Sequence, residues 1–168
     1  MSMVLSPERP PSTSQQLIFT RVGAVNVGIP SDWVAEIIRV SRSQLLDLPF
    51  YSPLFLGVIH HSGAILPLVS GHRLLQLPET GLRETSIVVS LNATVANLAH
   101  VGLVVDQLLG GTANTPSAMT SWTPTVGTPP LPHTQVLLHP HWLPQDMWQP
   151  RQWGTMTPNP SEDAKVSP

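Results

Sequence analysis

The sequence predicts a barrel-like all-β domain, and three observations on its 168 residues favour this class. At least seven apolar runs have the length of short strands, and the stretches between them allow only short helices. Turn-forming glycine, proline and asparagine residues recur between these runs. In Val25–Ile29 the apolar residues alternate with Asn26 and Gly28, which is the period of a strand with one buried face. Together these features disfavour a parallel α/β fold.

The N-terminal part of the domain begins with a predicted hairpin. Its strands are Leu17–Val22 and Val25–Ile29, separated by two small residues. Ser31 is a suitable N-cap for a short helix. That helix must end early, because the β-branched residues of Ile37–Val40 favour a strand.

A second hairpin is predicted over Gly57–Val69, which reads GVIHHSGAILPLV. Two apolar runs flank the polar turn His60–Gly63, whose glycine tolerates a positive φ. Pro67 has no N–H to donate, so its strand should lie at a sheet edge or contain a bulge. Ser70–Arg73 then predicts a loop or a short helix. Two further strands are predicted at Ser86–Leu91 and Leu98–Asp106.

The composition changes after these strands, because no charged residue occurs from Gln107 to Gln145. Residues 112–133 are rich in threonine, serine and proline and predict an extended loop, ordered against the body through Met119 and Trp122. Val136–Leu138 is the last strand candidate. The polar ends of the chain predict a flexible arm over residues 1–15 and a disordered tail over residues 154–168, with one domain at 16–153.

The composition restricts the class of function. A net charge of −2 argues against a nucleic-acid-binding protein, and the absence of cysteine excludes disulfides and thiolate metal sites. The N-terminal residues lack the apolar block of a signal peptide. Phe50–Val69 is apolar enough to resemble a membrane span, but its histidines, prolines and glycines would make a poor one. We therefore expect a soluble, cytoplasmic protein. Its charged content of 11% is low, as in proteins that work inside assemblies.

The residues that could perform chemistry do not form a recognisable active site. His60 and His61 are adjacent, and His139 and His141 could project from one face of a strand, but no third metal ligand stands at a suitable spacing. Asp106 ends a strand, where a turn-capping role is favoured over catalysis. The tryptophans at positions 122, 142, 148 and 153 fit an interface and the cover of a small barrel equally well.

Seven segments follow one another in a characteristic order: Leu17–Phe19, Ile29–Pro30, Val34–Ile38, Leu48–Pro49, Phe55–Ile59, Gly63–Val69 and Val101–Asp106. Their order and spacing resemble the CheW-like domain, a coupling module of bacterial chemotaxis and pilus-motility systems. The resemblance is good over residues 16–111 and weak over residues 135–148. It implies two small SH3-like β-barrel subdomains packed on a shared core, with a few short helices.

The sequence departs from this family at the second hairpin, so the resemblance indicates a divergent member. Family members usually have Asn-Leu-Arg-Gly where this chain has His60–Gly63, and an Asp-Leu pair where it has Ser70 and Gly71. The family's glutamate, matching Glu36, often pairs with the turn arginine that is missing here. Glu36 must then be exposed to solvent or pair with Arg39, Arg42 or a histidine.

The resemblance implies a non-enzymatic adaptor, without cofactor or metal, that couples a methyl-accepting chemotaxis-type receptor to a CheA-type histidine kinase. No nucleic acid and no direct membrane insertion are expected. Docking would use apolar contacts at a barrel end, and the candidate contact residues by position are Val34, Glu36, Ile37, Val58, His60, His61, Ser62 and Ile65. The alternatives are a degenerate regulator that binds the kinase without coupling a receptor, and a metal-binding or hydrolytic enzyme that uses the histidines.

Overall fold

The computed structural model describes residues 16–79, 83–92, 99–112 and 119–149. The predicted N-terminal arm, the predicted C-terminal tail and most of the predicted loop Asn92–Asn97 lie outside these ranges. Within them the chain forms nine strands. Their bounds are β1 (Leu17–Val22), β2 (Val25–Pro30), β3 (Val34–Ser41), β4 (Phe55–His61), β5 (Ala64–Ser70), β6 (Thr85–Leu91), β7 (Gly102–Val105), β8 (Gln107–Thr112) and β9 (Gln135–Leu137).

The helical content is low, as the sequence predicts. In the described ranges, the single α-helix is the one-turn α1 (Gly71–Leu74), which Ser70 caps by accepting the N–H of Arg73. Short 3₁₀ turns occupy Ser31–Trp33, Arg42–Gln44, Pro140–Trp142 and Gln145–Trp148. Ser31 is not the N-cap of the first turn, because Pro30 holds that position without a side-chain hydrogen bond.

The strands form two sheets, and the all-β prediction is confirmed. The first sheet has the order β8-β1-β2-β9 and the second has the order β3-β6-β7-β5-β4. The predicted hairpin joins β1 to β2, with Val22 opposite Val25. The first sheet therefore combines strands from the beginning of the chain with strands from its second half.

Two strands differ from the sequence prediction. The strand predicted at Leu98–Asp106 begins only at Gly102, because residues 99 and 100 form a turn in which His100 has a φ of 57°. β8 was not predicted, because its paired glycines resemble the end of an element. It nevertheless pairs antiparallel with β1, and the register shifts between Phe19 and Thr20.

The position of Pro67 also differs from its prediction, because β5 lies inside the second sheet between β7 and β4. Its parallel partner β7 pairs only with Leu68–Ser70, so the ladder on that side begins one residue after the proline. The missing N–H of Pro67 therefore breaks no ladder bond on that side. The irregularity of the hairpin lies instead in β4, where the register shifts between Phe55 and Gly57.

One shared core packs the two sheets together. Val22, Val25 and Ile29 of the first sheet meet Val89 and Leu103 of the second sheet in a single buried cluster. Leu138, Trp142 and Met147 complete this cluster from the C-terminal segment. The shared core thus agrees with the packing that the family resemblance implies.

The second sheet also buries its other face. A separate cluster contains Val40, Ile59, Leu66, Leu68 and Val88, and alternation sends neighbouring side chains to opposite clusters. Leu68 and Val88 enter this second cluster, whereas Val69 and Val89 enter the shared core. Strands of a sheet with both faces buried contain continuous apolar runs. This explains the run SIVVSL in β6 and the run ILPLV in β5.

The second sheet is curled, and the segment after β3 closes it. Leu46 pairs with Val58 of β4 through two backbone hydrogen bonds of 2.8 and 2.9 Å. β3 and β4 are the two edges of the sheet, so this bridge draws one edge toward the other. Gly57 permits the approach because its φ is +145° and a Cβ there would collide with the backbone of Leu46.

We predict that Gly57→Ala destabilises the protein by roughly 1–3 kcal/mol, because alanine is strained at this φ and clashes with Leu46. Urea denaturation of both proteins measures the difference in the free energy of unfolding. Gly111→Ala is the control, because its φ is ordinary and the nearest atom to its new Cβ is 3.5 Å away. Equal stability of the Gly57→Ala variant and wild type would show that the closure tolerates a side chain there.

Candidate docking site

The turn between β4 and β5 lies at one end of the curled second sheet, which we call the hairpin end. Ser62 and Gly63 form the turn, and both have positive φ angles, 49° and 79°. The pairing places His60 opposite Ile65 and Val58 opposite Pro67. Ile59 points into the second cluster, so alternation turns Val58 and His60 to the outer face of the hairpin. Ile65 is 61% exposed and forms an apolar projection there.

Glu36 and His61 meet at the mouth of the curled sheet. The Nε2 atom of His61 lies 2.9 Å from the Oε1 atom of Glu36, and both side chains are partly exposed. The sequence leaves Arg39, Arg42 and a histidine as partners for this carboxylate, and the structure selects the histidine. Because the two residues lie on the edge strands β3 and β4, the contact adds a side-chain link to the backbone closure at Leu46.

The remaining candidate residues occupy β3. Val34 is half-buried against the shared core. Ile37 lies opposite Val89 of β6 and is 38% exposed. The structure therefore brings Glu36 and His61 into contact, gathers Val58, His60, Ser62 and Ile65 on the hairpin, and sets Val34 and Ile37 on the other edge strand.

One residue at this closure was not among the candidates. Leu46 carries the backbone bridge to β4, and its side chain is 63% exposed. The sequence signal is Leu45–Leu48, a segment with three leucines that stops at Pro49. That signal indicates a short extended segment but gives no sign that it pairs with β4.

Asp106 holds two parts of the fold together, and the turn-capping interpretation is correct. Its Oδ2 atom accepts the N–H of Gly23 at 2.6 Å and lies 2.8 Å from Nε2 of His72. The other ring nitrogen of His72 lies 3.0 Å from the carbonyl oxygen of Pro78. Both ring nitrogens of His72 thus lie against oxygen atoms of the fold, which agrees with a structural role.

The other histidines do not converge on a metal geometry. Among the described residues, no three histidine, aspartate or glutamate side chains are placed to hold a metal ion. His139 and His141 stack on each other, with ring centroids 4.9 Å apart.

The described tryptophans cover the core. Trp142 is buried and packs edge-on against Trp122, with ring centroids 5.0 Å apart. Trp148 packs edge-on against Phe55 at the start of β4, at 5.9 Å. Met119 reaches Gly28 of β2, so the predicted anchoring of the long loop through Met119 and Trp122 agrees with the structure. Trp153 lies outside the described residues.

Two β-sheets on a shared core, the second curled and bridged between its edges, define a mostly β protein with a half-barrel. The model of the CheW-like domain family matches residues 16–125, and the chain belongs to this family. No curated protein matches the sequence.

A solved structure with the same fold is the crystal structure of the scaffolding protein TtCheW from Thermoanaerobacter tengcongensis. It is similar to this chain with a TM-score of 0.56 and 13% sequence identity, over 82% of this chain and 99% of TtCheW. In the part of the chain that the structure describes, no helix is long and apolar enough to cross a membrane. The apolar stretch Phe50–Val69 instead forms a turn and the β4–β5 hairpin.

We predict that Asp106→Ala lowers the free energy of unfolding by about 1–3 kcal/mol, because it leaves the N–H of Gly23 and the ring of His72 without their acceptor. Thermal and urea denaturation measure the loss. Asp47→Ala is the matched control, because Asp47 is exposed and a surface substitution of this kind changes stability by less than about 0.5 kcal/mol. Equal effects of the two substitutions would contradict a stabilising role for the contacts of Asp106 with Gly23 and His72.

Proposed function

We propose that this protein is a non-enzymatic, cytoplasmic adaptor that couples a methyl-accepting chemotaxis-type receptor to a CheA-type histidine kinase. The output would be chemotaxis, phototaxis or pilus-based motility. Membership of the CheW-like family supports the adaptor role. The similar structure is that of a scaffolding protein, which agrees with a role in assembly.

The observation that carries the proposal is the exposed apolar residue Ile65 at the hairpin end. An isoleucine that is mostly exposed on a rigid two-stranded projection gains free energy when a partner covers it. Val58 extends the apolar surface along β4, while His60 and Ser62 provide a polar rim. Apolar centres with polar rims are typical of protein–protein interfaces.

The link between Glu36 and His61 supports docking at this end by restraining its shape. It connects the two edge strands at the mouth of the curled sheet, so the hairpin and β3 present a defined surface before a partner arrives. A surface that is already ordered loses less conformational entropy on binding. Ile37 and Val34 on β3 would then contact the partner beside the mouth.

One observation favours the alternative of a regulator that binds the kinase without coupling a receptor. Ser62 occupies the position of the family's turn arginine, and Glu36 is bound by His61 instead. Any receptor contact that depended on this arginine would be missing here, whereas Ile65 is exposed for a contact with the kinase. The adaptor and the regulator therefore differ in whether receptor stimulation reaches the kinase through this protein.

We predict that Ile65→Asp abolishes binding to the CheA-type kinase of the same cell while the protein stays folded. Ile65 is 61% exposed, so aspartate buries no charge in the free protein, but it would place one at the centre of the interface. Calorimetry measures binding, and thermal denaturation checks the fold. The control is Val126→Asp, at a valine that is 98% exposed and far along the chain from the hairpin. Kinase binding by Ile65→Asp with wild-type affinity would rule out the hairpin end as the docking surface.

Ser62→Arg distinguishes the adaptor from the regulator. For an adaptor that already couples, we expect wild type to support receptor-stimulated kinase activity and the arginine to leave it unchanged or impair it. For the regulator, wild type would bind the kinase without stimulation, and the arginine would restore coupling. An exposed ion pair adds only about 0–1 kcal/mol of stability, so the effect should appear in coupling and not in the melting temperature.

A further inference from the structure

A cleft opens at the end of the second sheet that lies opposite the hairpin end. Its volume is about 240 Å³. Here β3, β5 and β7 end while β4 and β6 begin, as the antiparallel and parallel pairings require. The polar residues that line it include Arg39 from β3, Arg83 just before β6, and Thr85 and Ser86 at the start of β6.

Two carboxylates also line this cleft, and both already have partners within the fold. The carboxylate of Glu79 accepts two hydrogen bonds from the guanidinium of Arg73, at 2.9 and 2.8 Å. Asp106 accepts the N–H of Gly23 and contacts the ring of His72. Both carboxylates therefore have partners other than Arg39 and Arg83.

The two arginines that line the cleft, Arg39 and Arg83, are not paired in this way. Within the described ranges, the guanidinium groups of Arg39 and Arg83 form neither an ion pair nor a hydrogen bond. Both line the same cleft, so their positive charges add together there. Such a pair repels unless an anion lies between its members.

We propose that this cleft binds a small oxyanion of the phosphate class, held by Arg39 and Arg83. A guanidinium offers N–H groups in a planar fork that matches two oxygens of a phosphate, and two guanidiniums can hold one anion from two sides. Thr85 and Ser86 also line the cleft, and a hydroxyl there can add a neutral donor.

The size of the cleft limits the ligand. Sites for drug-sized molecules have volumes of roughly 300–1,000 Å³, so a cleft of about 240 Å³ suits a compact ligand. The ligand is therefore free phosphate or the phosphate group of a small molecule whose remaining part lies outside. The site is at the opposite end of the sheet from the proposed docking surface, so it stands independently of the adaptor role.

Calorimetric titration of the full chain with inorganic phosphate, at constant ionic strength maintained with sodium chloride, tests the site. We expect saturable binding with a stoichiometry of one and a matching rise in melting temperature, because the anion binds the native state. Phenyl phosphate forms a second arm. Tighter binding of phenyl phosphate would identify the source as a phosphorylated small molecule, and equal or weaker binding would identify free phosphate.

Arg39→Ala and Arg83→Ala should each weaken phosphate binding roughly tenfold or more, because a hydrogen bond to a charged group is lost. Arg42→Ala is the matched control, since Arg42 follows the same strand but does not line the cleft. If Arg39→Ala proves unstable, Arg39→Gln replaces it. No saturable heat from wild type, or wild-type binding by both cleft variants, would overturn the proposal.

Discussion

The closure of the second sheet is the constraint on which the other features depend. β3 and β4 would be open edges of a five-stranded sheet, but Leu46 bridges to Val58 and His61 contacts Glu36 across the same gap. Curling encloses the second apolar cluster, which a flat sheet would leave facing water. It also leaves two distinct ends, one with the exposed hairpin and one with the arginine-lined cleft.

In this chain a histidine contacts Glu36, whereas in the family the turn arginine often does so. The side-chain link across the closure is therefore made differently. An arginine fork at the turn would reach Glu36 from position 62, whereas here the adjacent His61 does so from the end of β4. An imidazole is shorter and has only one nitrogen facing the carboxylate. The residues of the turn itself therefore do not link the two edge strands of the second sheet, and they are available for other contacts.

Much of the fold could be predicted from residue patterns, but its closure could not. The alternation in Val25–Ile29 and the apolar run SIVVSL identify strands, because side-chain period and burial are local properties. β8 was missed because glycines weaken a strand signal even where backbone pairing is intact. The partner of Glu36 was left among three choices, because distances across a curled sheet depend on how distant strands approach. The cleft could not be predicted from the sequence either, because it also depends on how distant strands approach one another.

The pairing of β2 with β9 has a consequence for how the chain acquires its structure. The family match ends at residue 125, yet Val136, Leu138, Trp142 and Met147 lie in the shared core beyond that point. β1 and β2 are synthesised before their outer partners, because β1 pairs with β8 and β2 pairs with β9. β9 follows β2 by more than a hundred residues. Contacts of such long sequence separation slow folding and leave apolar strand edges exposed meanwhile. The N-terminal hairpin therefore keeps both of its outer strand edges unpaired until β8 and β9 have been synthesised.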